Sequence, residues 1–434
     1  MIDVAVVGGG ISGLSVAYRL NIAGFKVKVF EKEEVAGGTV RTLKIEGYIC
    51  ELGPQTVLGD EKVISFIRDT GIEPIFASEE AKIRYIYKNG KLIPLPTNPI
   101  AFLTSPLLSL KGKLCVIAEP FAKRSDKEEE SVAEFVIRRF GKEFLDTVVG
   151  PFLSGVYAGD PYKLSVKYAV RKIYELEKNY GSVLKGAFKL KALGPRGRLV
   201  SFNEGFGEFI RHLETMLDVE RNNAVLKITK KENGFNLKTV RGDYEAKSVV
   251  LAVPAYVASY LLRDISFSAS EEFEKIYYAP LVVINLGTDK GGIPDGFGFL
   301  VPRYEKKRIL GVIFSSHIFK GRAPEGKELL TVYVGGAMDP EVVGMEDERI
   351  MDIVSSELKE ILGIDNIDFY HIKKWHKAIP QYNVGHGRYY NLKNEIEEKF
   401  RGVFIAGNYI EGVSMADCIR NSEKVADKVI NFLD

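Results

Sequence analysis

Cysteine is scarce in this chain: among 434 residues there are 3, Cys50, Cys115 and Cys418, far apart and with no C-x-x-C pair. That argues against a disulfide framework or a cysteine-built zinc site and makes a reducing, cytosolic compartment the default expectation. An excess of one charge is lacking too. The 60 Lys and Arg stand against 58 Asp and Glu, a formal net charge of +2, so composition gives no support to a nucleic-acid or polyanion partner. Histidine occurs 5 times, at 212, 317, 371, 376 and 386, never in the i,i+4 pattern with a carboxylate that a zincin uses. No metal site is expected. No uncharged apolar run reaches the roughly 18 residues that span a bilayer, and the opening MIDVAVVGGG has neither the basic segment nor the cleavage site of a secretory leader. Only two glutamines, Gln55 and Gln381, occur amid abundant Lys and Glu, which resembles a heat-adapted composition. What is present is ordinary for a globular protein, 46% hydrophobic and 27% charged. At roughly 100–200 residues per domain the length predicts two or three domains or one large elaborated one.

The first informative segment is the N-terminal one. Residues 3–7, DVAVV, form a β-branched run suited to a buried parallel strand. Gly8, Gly10 and Gly13 follow at G-x-G-x-x-G spacing, then Ile11, Leu14, Ala17 and Leu20 recur at helical spacing and Gly24 suits a helix end. A second strand, VKVFEK, ends near Glu31 and Lys32. Gly8 permits the tight turn, Gly10 lets a pyrophosphate approach the backbone, and Gly13 allows helix and strand to pack closely, with the helix N-terminus facing the phosphate charge. Glu31, 18 residues beyond Gly13, is placed to accept from a ribose hydroxyl.

The continuation separates FAD from NAD. A second glycine pair, Gly37 and Gly38, precedes Thr39, Arg41 and Thr42, and the segment GYICELGPQTV carries Glu51, Gly53, Pro54, Gln55 and Thr56. A guanidinium and a second set of amides can meet the same pyrophosphate, and no second G-x-G-x-x-G for a nicotinamide nucleotide follows. These segments resemble the flavin amine-oxidase superfamily. That resemblance implies a non-covalent FAD held by Gly8, Gly9, Gly10, Ile11, Ser12, Gly13, Glu31, Lys32, Gly38, Thr39, Arg41, Gly53, Pro54, Gln55 and Thr56. It further implies contact of Val225 with the adenine half. Trp375, Gly407, Asn408, Val413, Ser414 and Met415 would join the cofactor site, those from Asn408 on beside the flavin and its phosphates.

Four further segments resemble the oxygen-dependent protoporphyrinogen oxidase family: PFLSGVYAGDPYKLSVKYA at 151–169, GFGFLVP at 296–302 followed by LGVIFSS, WHKAIPQYNVGH at 375–386, and GNYIEGVSMADCI at 407–419. Coproporphyrinogen III oxidase shares these motifs. The expected fold is α/β with α+β elements: a Rossmann-like FAD-binding domain at 1–78, 200–266 and 375–434, interrupted by a mixed-sheet substrate domain at 79–99 and 267–374. A helical insert would occupy 100–199. Residues 219–253 read as a meander with turns at Asn233-Gly234 and Gly242-Asp243, and Asn89-Gly90 as a hairpin turn. The charge run KRSDKEEE at 123–130 reads as a solvated linker or helix start.

The family implies oxidation of a porphyrinogen to the aromatic porphyrin in three two-electron flavin cycles, with dioxygen as acceptor, peroxide released, and the product passed to a ferrochelatase. A homodimer is a further expectation. Arg84 aligns with the family's propionate-binding cation, Phe297 and Leu300 with the pair that sandwiches a pyrrole ring, and Ile313 and Tyr333 with further walls. Gly155 lies where backbone approaches the reacting part of the macrocycle. No side chain in these motifs is an obvious general base, and the protein's task is chiefly orientation. Cys418 is expected to be a buried free thiol, and His376 and His386 to be structural. Gly205 and Gly207, separated by Phe206, and Ser422 stand where the family usually has a Gly-Gly pair and a glycine.

The stretch 92–121, rich in Leu, Ile, Phe and Pro, reads equally as a buried helical hairpin or as an interfacial patch. The family's monotopic habit favours peripheral contact with the inner face of the cell membrane. Two other readings compete. A flavin amine oxidase would carry a lysine in the strand at 279–287, and none is there; a catalytically silent porphyrin carrier would keep the flavin motifs without turnover.

Overall fold

The computed structural model describes residues 1–190 and 197–434; the end of the expected insert at 191–196 lies outside the described residues. The strand Ile2–Val7 feeds the helix Ile11–Ile22 through Gly8, which holds φ +104, and Val27–Phe30 returns parallel to the first strand. Gly24 follows the helix end at φ +92. Parallel pairing of Gly242–Leu251 on the other side of Ile2–Val7, and of Val403–Ile405 beyond it, completes a nucleotide-binding sheet of 7 strands. Near-continuous runs such as VAVV and SVVL fit the double coverage that parallel strands receive. On one face lie Leu14, Phe209 and Val425 from three helices; on the other lie Ala258, Phe273 and Ile396.

The expected meander is present as Val225–Lys231, Gly234–Thr239 and Gly242–Leu251, with turns one or two residues earlier than the glycines alone suggest.

A second sheet of 7 strands runs in the order Phe369–Pro380, Tyr278–Asp289, Lys327–Gly335, Ile309–Ile313, Gly298–Leu300, Arg84–Lys88, Lys91–Pro94. Asn89 and Gly90 both have positive φ, 51 and 75, the geometry of a two-residue hairpin turn. Alternation sorts the side chains. Val282, Ile284, Phe299, Val312, Val332 and Val334 pack with Val354 and Leu358 of the amphipathic helix Asp347–Leu362, a helix that the strand-like reading of 267–374 passed over. Their neighbours of opposite parity, among them Leu300, Ile313 and Tyr333, face away from that helix. The strand Phe369–Pro380 runs through the boundary drawn at 375, and Phe267–Glu274 packs through Ala269 and Phe273 with the nucleotide-binding sheet.

Residues 99–189 are helical, with a core including Phe135, Leu153, Leu164 and Tyr382. The charge run at 123–130 is not wholly solvated: Glu130 is buried and binds Arg138 at 2.7 Å, because the chain here turns inward to the Ser131 cap of the helix Val132–Phe140. The stretch read as a helical hairpin is only partly buried, through Leu107, Leu108 and Val116. Ile100, Leu110, Phe121 and Phe188 are 76%, 80%, 87% and 79% exposed, because they lie on the outward side of short elements whose inward side, through Val116, Val183 and Ala187, packs into the insert's core. Among the described residues no helix is long and apolar enough to cross a membrane.

Candidate functional site

Three glycine-bearing segments converge at the head of the nucleotide-binding sheet. Gly10 bridges Gly37 as a parallel pair, the Gly37 amide donates to the Gly9 carbonyl at 2.8 Å, and the Leu52 amide donates to the Arg41 carbonyl at 2.8 Å. Side chains at Gly8 would collide with the Ala252 carbonyl, 2.5 Å from the place a Cβ would take, whereas nothing lies within 4 Å of that place at Gly10. Space over Gly10, at a helix N-terminus whose cap supplies no side-chain acceptor, is what a pyrophosphate needs. Ile11 and Ser12 form the first turn, and Gly13 lies against the Gly8 carbonyl and Ala252.

Glu31 is buried at 6% exposure, and its carboxylate accepts the Gly9 amide at 2.8 Å and the Glu33 amide at 2.9 Å. Lys32 is exposed and pairs with Glu33 at 3.1 Å. Val225 opens a strand two residues beyond Asn223, whose amide donates to the Glu31 carbonyl at 2.9 Å. Gly38 accepts from Arg41 Nε at 3.0 Å, and Gly53 lies against Thr39. From the C-terminal piece, Ser414 caps the helix Met415–Leu433, whose start packs beside Ser12 through Cys418; Cys418 is buried and free, its thiol pushed up to about 11 chiefly by burial. Gly407 lies against the Tyr409 ring, and Asn408 is held by Tyr382, whose hydroxyl donates to the Asn408 carbonyl at 2.5 Å and accepts the Gly412 amide at 2.7 Å. Val413 joins the insert's core. Trp375 Nε1 donates to the Leu52 carbonyl at 2.7 Å, binding the second sheet to the segment that carries Pro54, Gln55 and Thr56. These residues fit FAD: two helix N-termini, a glycine cradle open at Gly10 and a buried acid at ribose distance along the first βαβ unit.

Across from this cradle, register places the remaining candidates on one sheet face. Arg84 pairs with Gly298, Leu300 with Gly311, Ile313 with Gly298, and Tyr333 with Gly311 and Val283. Arg84 is half-buried, 4.9 Å over the Phe297 ring, and has no carboxylate at ion-pair distance among the described residues. Burial pulls its pKa below the usual value. Gly155 sits on the helix Gly150–Tyr157 so close to Leu300 that a Cβ there would come within 2.9 Å of Cδ2. The same helix exposes Phe152 and Val156, and it grows out of a π-helical turn, Leu145–Val149, of the kind that recurs at functional sites. Burial pushes the Tyr333 hydroxyl up, partly countered by its hydrogen bond with Gln55.

Sequence reading missed Tyr382, Gln381 and Arg322. Gln381 donates to the Tyr157 carbonyl at 2.8 Å, and buried Arg322 donates to Ser201 Oγ at 2.7 Å. The quoted AIPQY segment contained the first two, but only the fold shows which atoms they hold. His386 is buried against the Tyr382 ring at 4.1 Å and burial drives its pKa down to about 3, in keeping with a structural role; His376 is exposed. Gly205 leads its helix at φ +81, and Ser422 takes the Arg19 Nε–H at 2.9 Å, tying two helices where a glycine could not.

Residues 11–430 match the pattern of the flavin containing amine oxidoreductases. The chain belongs to that family. Its relatives include the chloroplastic protoporphyrinogen oxidase of Nicotiana tabacum, 31% identical over 100% of this chain and 86% of the relative. The coproporphyrinogen III oxidase of Bacillus subtilis (strain 168) is 27% identical, over 99% and 98%. Among solved structures, an Exiguobacterium sp. 255-15 protein assigned to protoporphyrinogen oxidase superposes with a TM-score of 0.84 at 23% identity over 98% of both chains. Putrescine oxidase superposes with a TM-score of 0.75 at 16% identity over 99% of both. The chain is an FAD-dependent oxidoreductase with the flavin amine oxidase fold.

Proposed function

We propose that this enzyme oxidises protoporphyrinogen IX to protoporphyrin IX, with dioxygen as acceptor and hydrogen peroxide as the reduced product. One observation carries the reading: a half-buried guanidinium without a carboxylate partner, Arg84, stands over Phe297 on the sheet face that carries Leu300, Ile313 and Tyr333. A flat, apolar dianion with carboxylates at one edge is the substrate that such a face suits: the rings take the macrocycle and the cation a propionate. Gly155 leaves backbone, without a side chain, against Leu300 where the ring edge would enter. The flavin, when bound in the cradle above, supplies the hydride acceptor; the chain's own residues bind, orient and exclude water.

Coproporphyrinogen III is the second reading, favoured by the near-full-length match to the Bacillus subtilis relative. Purified, flavin-loaded protein given each porphyrinogen separately decides between them by porphyrin fluorescence and peroxide yield. Protoporphyrinogen should turn over with the higher kcat/KM; no turnover of either sinks the proposal.

The exposed Ile100, Leu110, Leu114, Phe121 and Phe188, interspersed with Lys111, Lys113 and Lys185, further suit contact with an anionic lipid surface that delivers an apolar substrate. Anionic vesicles should co-sediment the protein, and Leu110→Glu with Phe121→Glu should abolish this while leaving turnover of detergent-dispersed substrate intact. Unchanged sedimentation of the double variant would rule the patch out.

A further inference from the structure

Between the FAD cradle and the substrate face lies a carboxyl group to which no cofactor contact is assigned. Glu51 is 3% exposed; it accepts the Thr42 hydroxyl at 2.7 Å and the Phe206 amide at 2.8 Å. Arg322 is equally buried but forms no ion pair with it among the described residues, its guanidinium donating instead to Ser201 Oγ and, at 2.9 Å, to the Phe202 carbonyl. Both line a cavity of about 10 Å³, together with Gln55, Thr56, Ile313 and Ser315. That is room for about one water with several polar partners. Ile313 lines this cavity and also lies on the proposed macrocycle face, so the two border one another. Gln55 spans the same gap: its Nε2 donates to the Glu51 carbonyl at 3.1 Å, and its Oε1 accepts the Thr331 hydroxyl at 3.2 Å.

We propose that Glu51 is the proton store of this site, receiving through the water-sized cavity the proton that the macrocycle loses with each hydride. The inference rests on the porphyrinogen reading above. In each cycle one meso C–H bond of the macrocycle breaks with its electron pair leaving as hydride to the flavin; the accompanying proton leaves a pyrrole N–H in two of the cycles and the fourth meso carbon in the third, each time with the bonding pair kept on the ring. That proton passes to the cavity water as one of the water's own protons forms an O–H bond on Glu51. Reduction of dioxygen to hydrogen peroxide then consumes the hydride equivalent and the stored proton, which returns Glu51 to carboxylate for the next of the three cycles.

Burial pushes the Glu51 pKa up to about 7, opposed by the Thr42 and Phe206 hydrogen bonds and by the Arg322 charge. The other groups that sense or influence it are Cys50, whose thiol burial pushes up to about 12 with a smaller contribution from Glu51, Tyr333, and Glu208 acting through Arg322. A group with this affinity can both take a proton and release it near neutrality.

The test combines infrared spectroscopy with kinetics on the flavin-loaded protein. A protonated-carboxyl carbonyl band should disappear as pH rises through about 7 and be missing from Glu51→Gln. The kcat of the wild type should fall as pH drops below about 7, and Glu51→Gln should lose that limb together with about 10²-fold in kcat, its flavin content unchanged. Thr42→Val, which removes a hydrogen bond to the carboxylate, should move both band and limb to higher pH. A limb that persists in Glu51→Gln, or a band that titrates in the ordinary carboxylate range, overturns the proposal. If the wild type turns over neither porphyrinogen, the functional reading has failed instead, and the band alone then tells whether Glu51 titrates near neutrality.

Discussion

At the scale of single residues, the site depends on charges held where water cannot easily replace their partners. Arg84→Ala should raise KM for the porphyrinogen by about tenfold to a hundredfold, the worth of one hydrogen-bonded charge, while bound FAD stays at the wild-type level. Loss of flavin from that variant would place Arg84 in the cofactor site. Glu31→Ala removes an acid whose carboxylate already orders two backbone amides of the turn. It should weaken FAD retention on dialysis, with the flavin spectrum as readout, and an undiminished spectrum would contradict the ribose assignment. For Glu51 the linkage has the opposite sign from a salt-bridged carboxylate. Its folded pKa of about 7 lies above the ordinary 4.5, so the fold holds its proton more tightly than the unfolded chain does. Its favourable contribution is complete below about pH 4.5 and is lost as pH rises to about 7, a difference on the order of 3 kcal/mol. Glu51→Gln should therefore gain urea stability relative to wild type at pH 8 more than at pH 5.

At the scale of elements, the helical insert is organised by buried charge as well as by its apolar core. Arg139 and Glu119 are both fully buried, 3.3 Å apart; Arg139 also meets Glu177 at 2.9 Å, and Glu177 meets Arg138 at 2.8 Å. Glu119 in turn accepts the Val183 amide at 2.9 Å at the start of the helix Val183–Lys189. Removing one partner leaves the others charged and dry, so Arg139→Leu should cost about 3–5 kcal/mol, read from denaturant unfolding. Replacement of an exposed pair such as Arg171 and Glu175 should cost less than about 1 kcal/mol. None of this was legible beforehand: Arg139 sits in an ordinary amphipathic repeat, and Glu119 in the segment read as either hairpin or patch. By contrast, the helix Ile11–Ile22 and the turn at Asn89-Gly90 were legible, because glycine at a positive φ and apolar residues at i, i+3 spacing are local demands that neighbours rarely override.

At the scale of the whole molecule, two sheets of 7 strands meet through a few contacts that fix the site: Trp375 to Leu52, Asn285 to the Glu51 carbonyl at 3.0 Å, and the Gln55 hydrogen bonds to Thr331 and Tyr333. Each joins a strand of the second sheet to the end of the strand Tyr48–Glu51 or to the segment that follows it. FAD bound in the cradle stabilises the native state by mass action. The sequence by itself determined the cofactor class and the order of the pieces, because the strand–turn–helix at residues 2–22 and the second glycine pair are short-range patterns with one steric solution. The resemblance to the porphyrinogen oxidases supplied the residues proposed to meet a porphyrinogen. Only the tertiary structure decided that Arg84 lacks a carboxylate partner among the described residues, that Ile100, Leu110, Leu114 and Phe121 face outward while Leu108 and Val116 turn inward, and that Glu51 lies beside a water-sized cavity. Those three facts depend on which distant segments come to rest against a side chain, and spacing along the chain does not encode what lies across a gap in space.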